Sequence, residues 1–328
     1  MHKKISYIYR NPSATYFSIE HIFNGVGDYL KNEGIEVCRH VLKFSGASLK
    51  TLWLNLNSFK TKADTIYHIT GDVHYMCIVT MKQSVLTIHD IGSAYQRNML
   101  KNLYVKLFWF WLPALVVGRI TVVSQFTKKE LTKIIPFAKA KIRVVYNYVD
   151  PSFEPMPLTC NEVPKVLFIG TKSNKNLERS LKAIKSINCH IIILGCLSLE
   201  QKNLLQMLEL SYNNYYNISR DDVKACYVAC DVLCFASTYE GFGMPIIEAQ
   251  ALGRPVITSN SGAMKEVAAN SACLIDPYDT NAIASAVKQV TSNLNYRDLL
   301  IEKGLENVKR FSIAQIALKY KNVYAELS

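Results

Sequence analysis

The chain has 328 residues, with 38 Lys+Arg against 26 Asp+Glu for a formal net charge of +12, and 49% of its residues are hydrophobic against 20% charged. That length exceeds one ordinary core and implies two domains, while the composition argues against intrinsic disorder, collagen-like repeats and coiled coil. The charge is uneven: residues 1–155 carry 20 basic and 10 acidic side chains (net +10), residues 156–328 carry 18 and 16 (net +2), so the first half is expected either to face something anionic or to be merely solubilised by its charge.

Along the chain, the start MHKKISYIYRN has no apolar run long enough for a signal peptide, and export is not expected. Nine cysteines, an odd number scattered from Cys38 to Cys273, read as reduced thiols of an intracellular protein. Apolar runs recur between helical patterns at 5–9, 65–69, 85–89, 120–124 and 142–146, then at 166–170, 190–195, 232–237, 255–259 and 272–276. Such alternation predicts an α/β chain of doubly wound parallel sheets. The run LFWFWLPALVVG at 107–118 is interrupted by Pro113 and bounded by Lys106 and Arg119, too short against the roughly 20 residues that span a bilayer. It predicts either a buried helix leading into a strand or a helix whose aromatic face meets a membrane interface.

Pro151, Pro155, Pro157 and Pro164 mark 151–164 as a linker between an N-terminal domain, 1–150, and a second domain, 165–311. Ligands of such sheets bind outside the carboxyl ends of the strands, so two units are expected to face a central cleft. Cys226, Cys230 and Cys234 are four apart, but Asp231 divides a helix from a strand, so they do not share a face and no metal site is predicted. The last segment, 312–328, opens on Ser312 as an N-cap and is apolar at 313, 316, 317, 320, 323 and 324. It predicts an amphipathic helix that either covers its own domain or crosses back to the first.

The densest chemistry lies in 235–268, where a strand ends in a glycine-containing loop that feeds a helix. Pro245 suits the first helical position and Gly253 the left-handed position that closes the helix. Gly241 and Gly243 leave backbone N–H groups unshielded beside that N-terminus, an arrangement that receives phosphate or a sugar hydroxyl. Glu240 precedes the loop and Glu248 lies inside the helix. From these residues alone, a nucleotide-sugar site and a plain turn with solvated glutamates both stand.

The run EGFGMPIIE (240–248), followed by EAQALGRPVITSNSGAMKEV and LIDPYD, resembles the E-x7-E signature of glycosyltransferase family 4, retaining enzymes of GT-B fold with two Rossmann-like domains. FIGTKSNKNL (168–177), VSQFTKKEL (123–131), NYVDPSFEP (147–155), ITGDVHY (69–75) and TIHD (87–90) are similar to further family segments in the same order. The resemblance implies that Glu248 binds the ribose hydroxyls, Glu240 the transferred sugar, and Phe242, Gly243 and Met244 offer backbone N–H groups to sugar and phosphate. Within the loop that includes Gly170 and Thr171, it makes Lys175 the cation that neutralises the diphosphate. Asn174 stands where the family often has arginine, and Lys172 is the candidate second cation. A Gly-Gly pair common after the first strand is replaced by RNPSATYFSIEHIF, with Gly25 and Gly27 displaced into the following helix.

His89 and Asp90 end an apolar strand on the ligand side, and the resemblance places His89 beside the anomeric centre. His68, Asp72, His74 and Asp90 are the acceptor-side candidates. No Asp-x-Asp occurs in the chain, which favours metal-independent chemistry without a cofactor. The expected function is transfer of a hexose from a nucleoside diphosphate sugar (GDP- or UDP-sugar) to a glycan acceptor, a polyprenyl-diphosphate-linked intermediate of surface polysaccharide. The expected location is the cytoplasm, peripheral to the inner face of an anionic membrane, with no nucleic-acid partner. Transfer to a soluble acceptor, UDP-sugar epimerisation and a catalytically silent nucleotide-sugar-binding subunit are the alternatives.

Overall fold

The computed structural model describes residues 4–11, 18–46, 48–94, 99–158 and 161–327. The strands run in chain order as β1 (Lys4–Tyr9), β2 (Val37–Val41), β3 (Thr65–Ile69), β4 (Ser84–Ile88), β5 (Arg119–Val122), β6 (Ile142–Val144), β7 (Lys165–Ile169), β8 (His190–Leu194), β9 (Tyr212–Tyr215), β10 (Val232–Phe235), β11 (Val256–Ser259) and β12 (Cys273–Ile275). They form two six-stranded sheets, ordered β2-β1-β3-β4-β5-β6 and β12-β11-β10-β7-β8-β9, in which every pairing is parallel. The chain divides into two compact units, Met1–Tyr148 with Ile313–Ser328, and Val149–Ser312.

All ten predicted strands are present. Of the interior strands, β3, β4, β10 and β11 are buried end to end, because helices cover both faces of a parallel sheet. The two strands that the hydrophobic pattern did not reveal, β2 (VCRHV) and β9 (YNNY), are both sheet edges with mostly half-buried or exposed side chains. An edge strand needs little apolar surface, so it leaves little apolar signal.

In the first unit, helix Ser18–Asn32 packs against the C-terminal helix Ile313–Ala325. The helix's two glycines have a packing reason: a Cβ on Gly25 would lie 1.9 Å from Tyr148 Oη, and one on Gly27 2.9 Å from Tyr7 Cε2. Residues 12–17, ahead of this helix, lie outside the described residues. So do 95–98, ahead of the aromatic run. That run continues from helix Met99–Val105 through a π-helical stretch, Lys106–Trp111, into helix Leu112–Val116. Phe110, Pro113 and Ala114 are buried, whereas Met99, Leu100, Leu103 and Leu115 are exposed, so the run packs by one face only. Among the described residues no helix is long and apolar enough to cross a membrane.

In the second unit, β7, β8, β10 and β12 contribute to a core that also takes in Leu177, Leu181 and Ile184 from helix Leu177–Ile184, and Ile283 and Val287 from helix Thr280–Ser292. The connecting segment is fastened to this unit by Arg254, 1% exposed, which donates to the carbonyls of Met156 at 2.9 Å and Pro157 at 3.2 Å.

Candidate functional site

Each sheet reverses its winding once. In the second unit the strand order runs outward from β7 to β9 and resumes at β10 on the other side of β7, so the loops after β7 and β10 part in opposite directions and leave a crevice at the carboxyl ends of the strands. Lys175 belongs to the first of these loops and Glu240 to the second. Lys175 Nζ donates to Glu240 Oε1 at 2.7 Å, with the two side chains 20% and 15% exposed. The ammonium also stands 4.9 Å from the Phe235 ring centroid. Gly170 (φ +88) makes this possible, since a Cβ there would sit 2.7 Å from Lys175 Cγ.

Asn174 braces the pair: Nδ2 donates to the Tyr239 carbonyl at 2.9 Å and to Glu240 Oε1 at 3.3 Å, while its own carbonyl accepts from Thr238 N at 2.8 Å. The residue in the arginine position therefore organises the carboxylate. Lys172 is exposed at the start of the short turn Ser173–Lys175, where its carbonyl accepts from Lys175 N at 2.8 Å. Thr171 donates its Oγ1 to the Cys196 carbonyl at 2.7 Å, linking the loops after β7 and β8.

After Glu240 the chain enters helix Met244–Ala251 through Gly243, at φ +104. Glycine takes this left-handed conformation without steric cost, and as N-cap it brings no side chain over the first turn. Pro245 is the second helical residue, not the first, where its missing N–H still deprives the helix of nothing. Gly253 (φ +70) closes the helix as expected. Phe242 is 4% exposed and its ring meets Phe311 at 5.6 Å, so its side chain belongs to the core and only its backbone is left to meet a ligand. Met244 is half-buried. Glu248 lies in the second turn and accepts a hydrogen bond from Tyr227 Oη at 2.7 Å.

The first unit repeats the device. Its winding reverses between β1 and β3, and there Arg10, just after β1, donates from Nη1 to Asp72 Oδ2 at 2.9 Å and from Nε to Glu20 Oε1 at 2.9 Å. Arg10 and Glu20 were not singled out in the sequence. Position was the available signal for Arg10, since it follows a strand end as His89 does.

The structure separates the histidines. His89 remains half-buried at the end of β4, with Nε2 donating to the Thr70 carbonyl at 2.8 Å. Burial lowers its pKa, so the ring is neutral at pH 7 and its unprotonated nitrogen is Nδ1. Asp72 is exposed, and Asp90, also exposed, accepts from Gly92 N at 2.9 Å. His68 is a correction: it is 0% exposed in the core, with Nδ1 2.7 Å from Tyr324 Oη and Nε2 2.6 Å from Thr87 Oγ1. Burial lowers its pKa to about 3. His74 is likewise buried, with Nδ1 donating to the Trp109 carbonyl at 2.7 Å. Both ring nitrogens of His68 are engaged, so that imidazole is not available to an acceptor. Among the described residues no group of three or more His, Cys, Asp or Glu could hold a metal ion.

Comparison with known proteins identifies the family and the fold. The family model described as "Glycosyl transferases group 1" matches residues 157–307, and that described as "Glycosyltransferase Family 4" matches residues 34–153. The chain is 26% identical over 294 residues to the O-antigen chain mannosyltransferase B of Escherichia coli, covering 80% of this chain and 74% of that protein. A glycosyltransferase structure from Rickettsia africae superposes with a TM-score of 0.77 at 20% identity, covering 99% of this chain and 98% of that one. The Anabaena protein HepE, solved in complex with UDP and glucose, gives a TM-score of 0.76 at 14% identity, covering 99% of this chain and 100% of that one. A strand–glycine loop–helix carrying the E-x7-E pair, two doubly wound parallel sheets and matches to both family models lead to one conclusion: the chain is a glycosyltransferase of family 4, with the GT-B fold.

Proposed function

We propose that this glycosyltransferase is a retaining, metal-independent hexosyltransferase whose second unit binds a nucleoside diphosphate sugar. The observation that carries the reading is the Lys175–Glu240–Asn174 cluster at the β7/β10 reversal, beside the glycine-capped helix. A lysine and a helix N-terminus supply positive potential for a diphosphate without a divalent ion. The diphosphate takes Lys175 over from Glu240, and the carboxylate so released accepts hydroxyl donors of the sugar. Lys175 and the loop N–H groups stabilise the leaving diphosphate. Glu240 orients the sugar, and Glu248 takes the ribose hydroxyls. In the first unit, Asp72, His89 and Asp90 are assigned to substrate hydroxyls, with neutral His89 a hydrogen-bonding partner of the reacting sugar. No side chain is assigned as a covalent nucleophile: attack comes from the face that the diphosphate leaves, and the leaving phosphate takes the acceptor's proton.

A nucleotide-sugar donor is supported by the fold shared with HepE, and a hexose by the name of the Escherichia coli relative. That name also supports a glycan acceptor of surface-polysaccharide type. A lipid-linked form of it, met at the inner face of the cytoplasmic membrane, is supported by the net +10 of residues 1–155 and by the exposed Met99, Leu100, Leu103 and Leu115. Co-sedimentation with liposomes tests the membrane part: binding should rise with anionic lipid and fall with salt, and binding indifferent to both would contradict it. For the donor, thermal shift against UDP-, GDP- and ADP-sugars should single out one base by its stabilisation. Donor hydrolysis without acceptor distinguishes an enzyme from a silent binding subunit.

A further inference from the structure

What holds the Glu248 carboxylate lies outside the sequence motif. Tyr227, in helix Arg220–Ala229, is 0% exposed and donates its phenolic O–H to Glu248 Oε2 at 2.7 Å. Its ring is fixed edge-on to Phe153 with centroids 6.0 Å apart, and its carbonyl accepts from Arg254 Nε at 3.1 Å. Phe153 is held in turn: the guanidinium of Arg220 lies 5.3 Å from its centroid and pairs with Asp150 at 2.8 Å. Burial, reinforced by the negative charge of Glu248, raises the phenol's pKa well above its ordinary value. At neutral pH the phenol therefore keeps its proton and donates it to the carboxylate.

We propose that Tyr227 is a positioning residue that sets the Glu248 carboxylate for the ribose hydroxyls of the donor nucleotide, and so takes part in selecting ribonucleotides. The proposal rests on the assignment of Glu248 to the ribose. A glutamate side chain has three rotatable bonds, and ordering it on ligand binding costs affinity. A charge-assisted hydrogen bond from a buried, immobile phenol orders it beforehand. The gain goes to a ligand that presents hydroxyls to the prepared carboxylate, and a nucleotide without them gains nothing.

Isothermal titration of the full chain tests this, with native protein, Tyr227→Phe and Glu248→Ala compared. The probe is whichever of UDP, GDP and ADP binds native protein most tightly, together with its 2′,3′-dideoxy counterpart. Tyr227→Phe should weaken the ribonucleotide roughly 5- to 20-fold and change the dideoxy nucleotide by less than about twofold. Glu248→Ala should abolish the preference between the two. A general packing defect in Tyr227→Phe would weaken both nucleotides equally, and that result overturns the proposal. So does an unchanged ribonucleotide affinity in Tyr227→Phe when Glu248→Ala is impaired. If Glu248→Ala keeps the native preference, or none of the three nucleotides binds, the assignment of Glu248 fails and the proposal falls with it.

Discussion

The two reversal points carry the same device and differ in what surrounds it. At β1/β3, Arg10 meets Asp72 at 2.9 Å. At β7/β10, Lys175 meets Glu240 at 2.7 Å. In the second unit the pair sits beside a glycine N-cap and an eight-residue helix, with Asn174 bridging the loops. In the first unit Arg10 is shared between Glu20 and Asp72, which leaves an excess of carboxylate and suits neutral hydroxyls better than phosphate. One architecture thus supplies two switch points of different electrostatic character. Their roles should separate under mutation.

The largest effect is expected at β7/β10. Glu240→Gln and Lys175→Ala should each lower turnover by roughly 100- to 1,000-fold in a glycosyl-transfer assay, the scale of losing one preorganised electrostatic contact. Arg10→Ala should leave nucleotide affinity within about threefold while impairing acceptor use, a difference that titration and steady-state kinetics resolve. A strong loss of nucleotide affinity in Arg10→Ala would erase the proposed division.

Stability should divide the units as well. His68 titrates at about 3 in the fold against 6.5 ordinarily. The unfolded chain therefore takes up a proton below about pH 6.5 that the folded chain refuses. Stability falls as pH drops from about 6.5 towards 3, by at most roughly 1.4 kcal/mol per pH unit from this group. His74 and His89, also lowered by burial, add to the slope in the same sense. His68→Gln should flatten the dependence of Tm on pH without abolishing it. Tyr324→Phe, which removes the hydroxyl beside His68 Nδ1, should cost about 1–2 kcal/mol in denaturant unfolding and leave nucleotide binding unchanged.

The same contrast explains what could be read in the sequence. Glu240, Gly243, Glu248 and Gly253 occupy one contiguous strand–loop–helix whose geometry is dictated locally by glycine and proline, so their placement was legible. His68 was not. Its partners are Thr87, 19 residues away, and Tyr324, 256 residues away, and only the folded unit shows that these long-range contacts occupy both ring nitrogens. Tyr227 and Arg10 escaped for a related reason, since each derives its significance from a partner on another element. The edge strands β2 and β9 escaped because exposed edges need no apolar pattern.

The β7/β10 reversal is proposed to hold the donor through Lys175 and Glu240. Titrating native protein, Lys175→Ala and Glu240→Gln with the nucleoside diphosphate sugar that stabilises native protein most tests it directly. Affinity should be at least about tenfold weaker in both variants. Native affinity in both would contradict it.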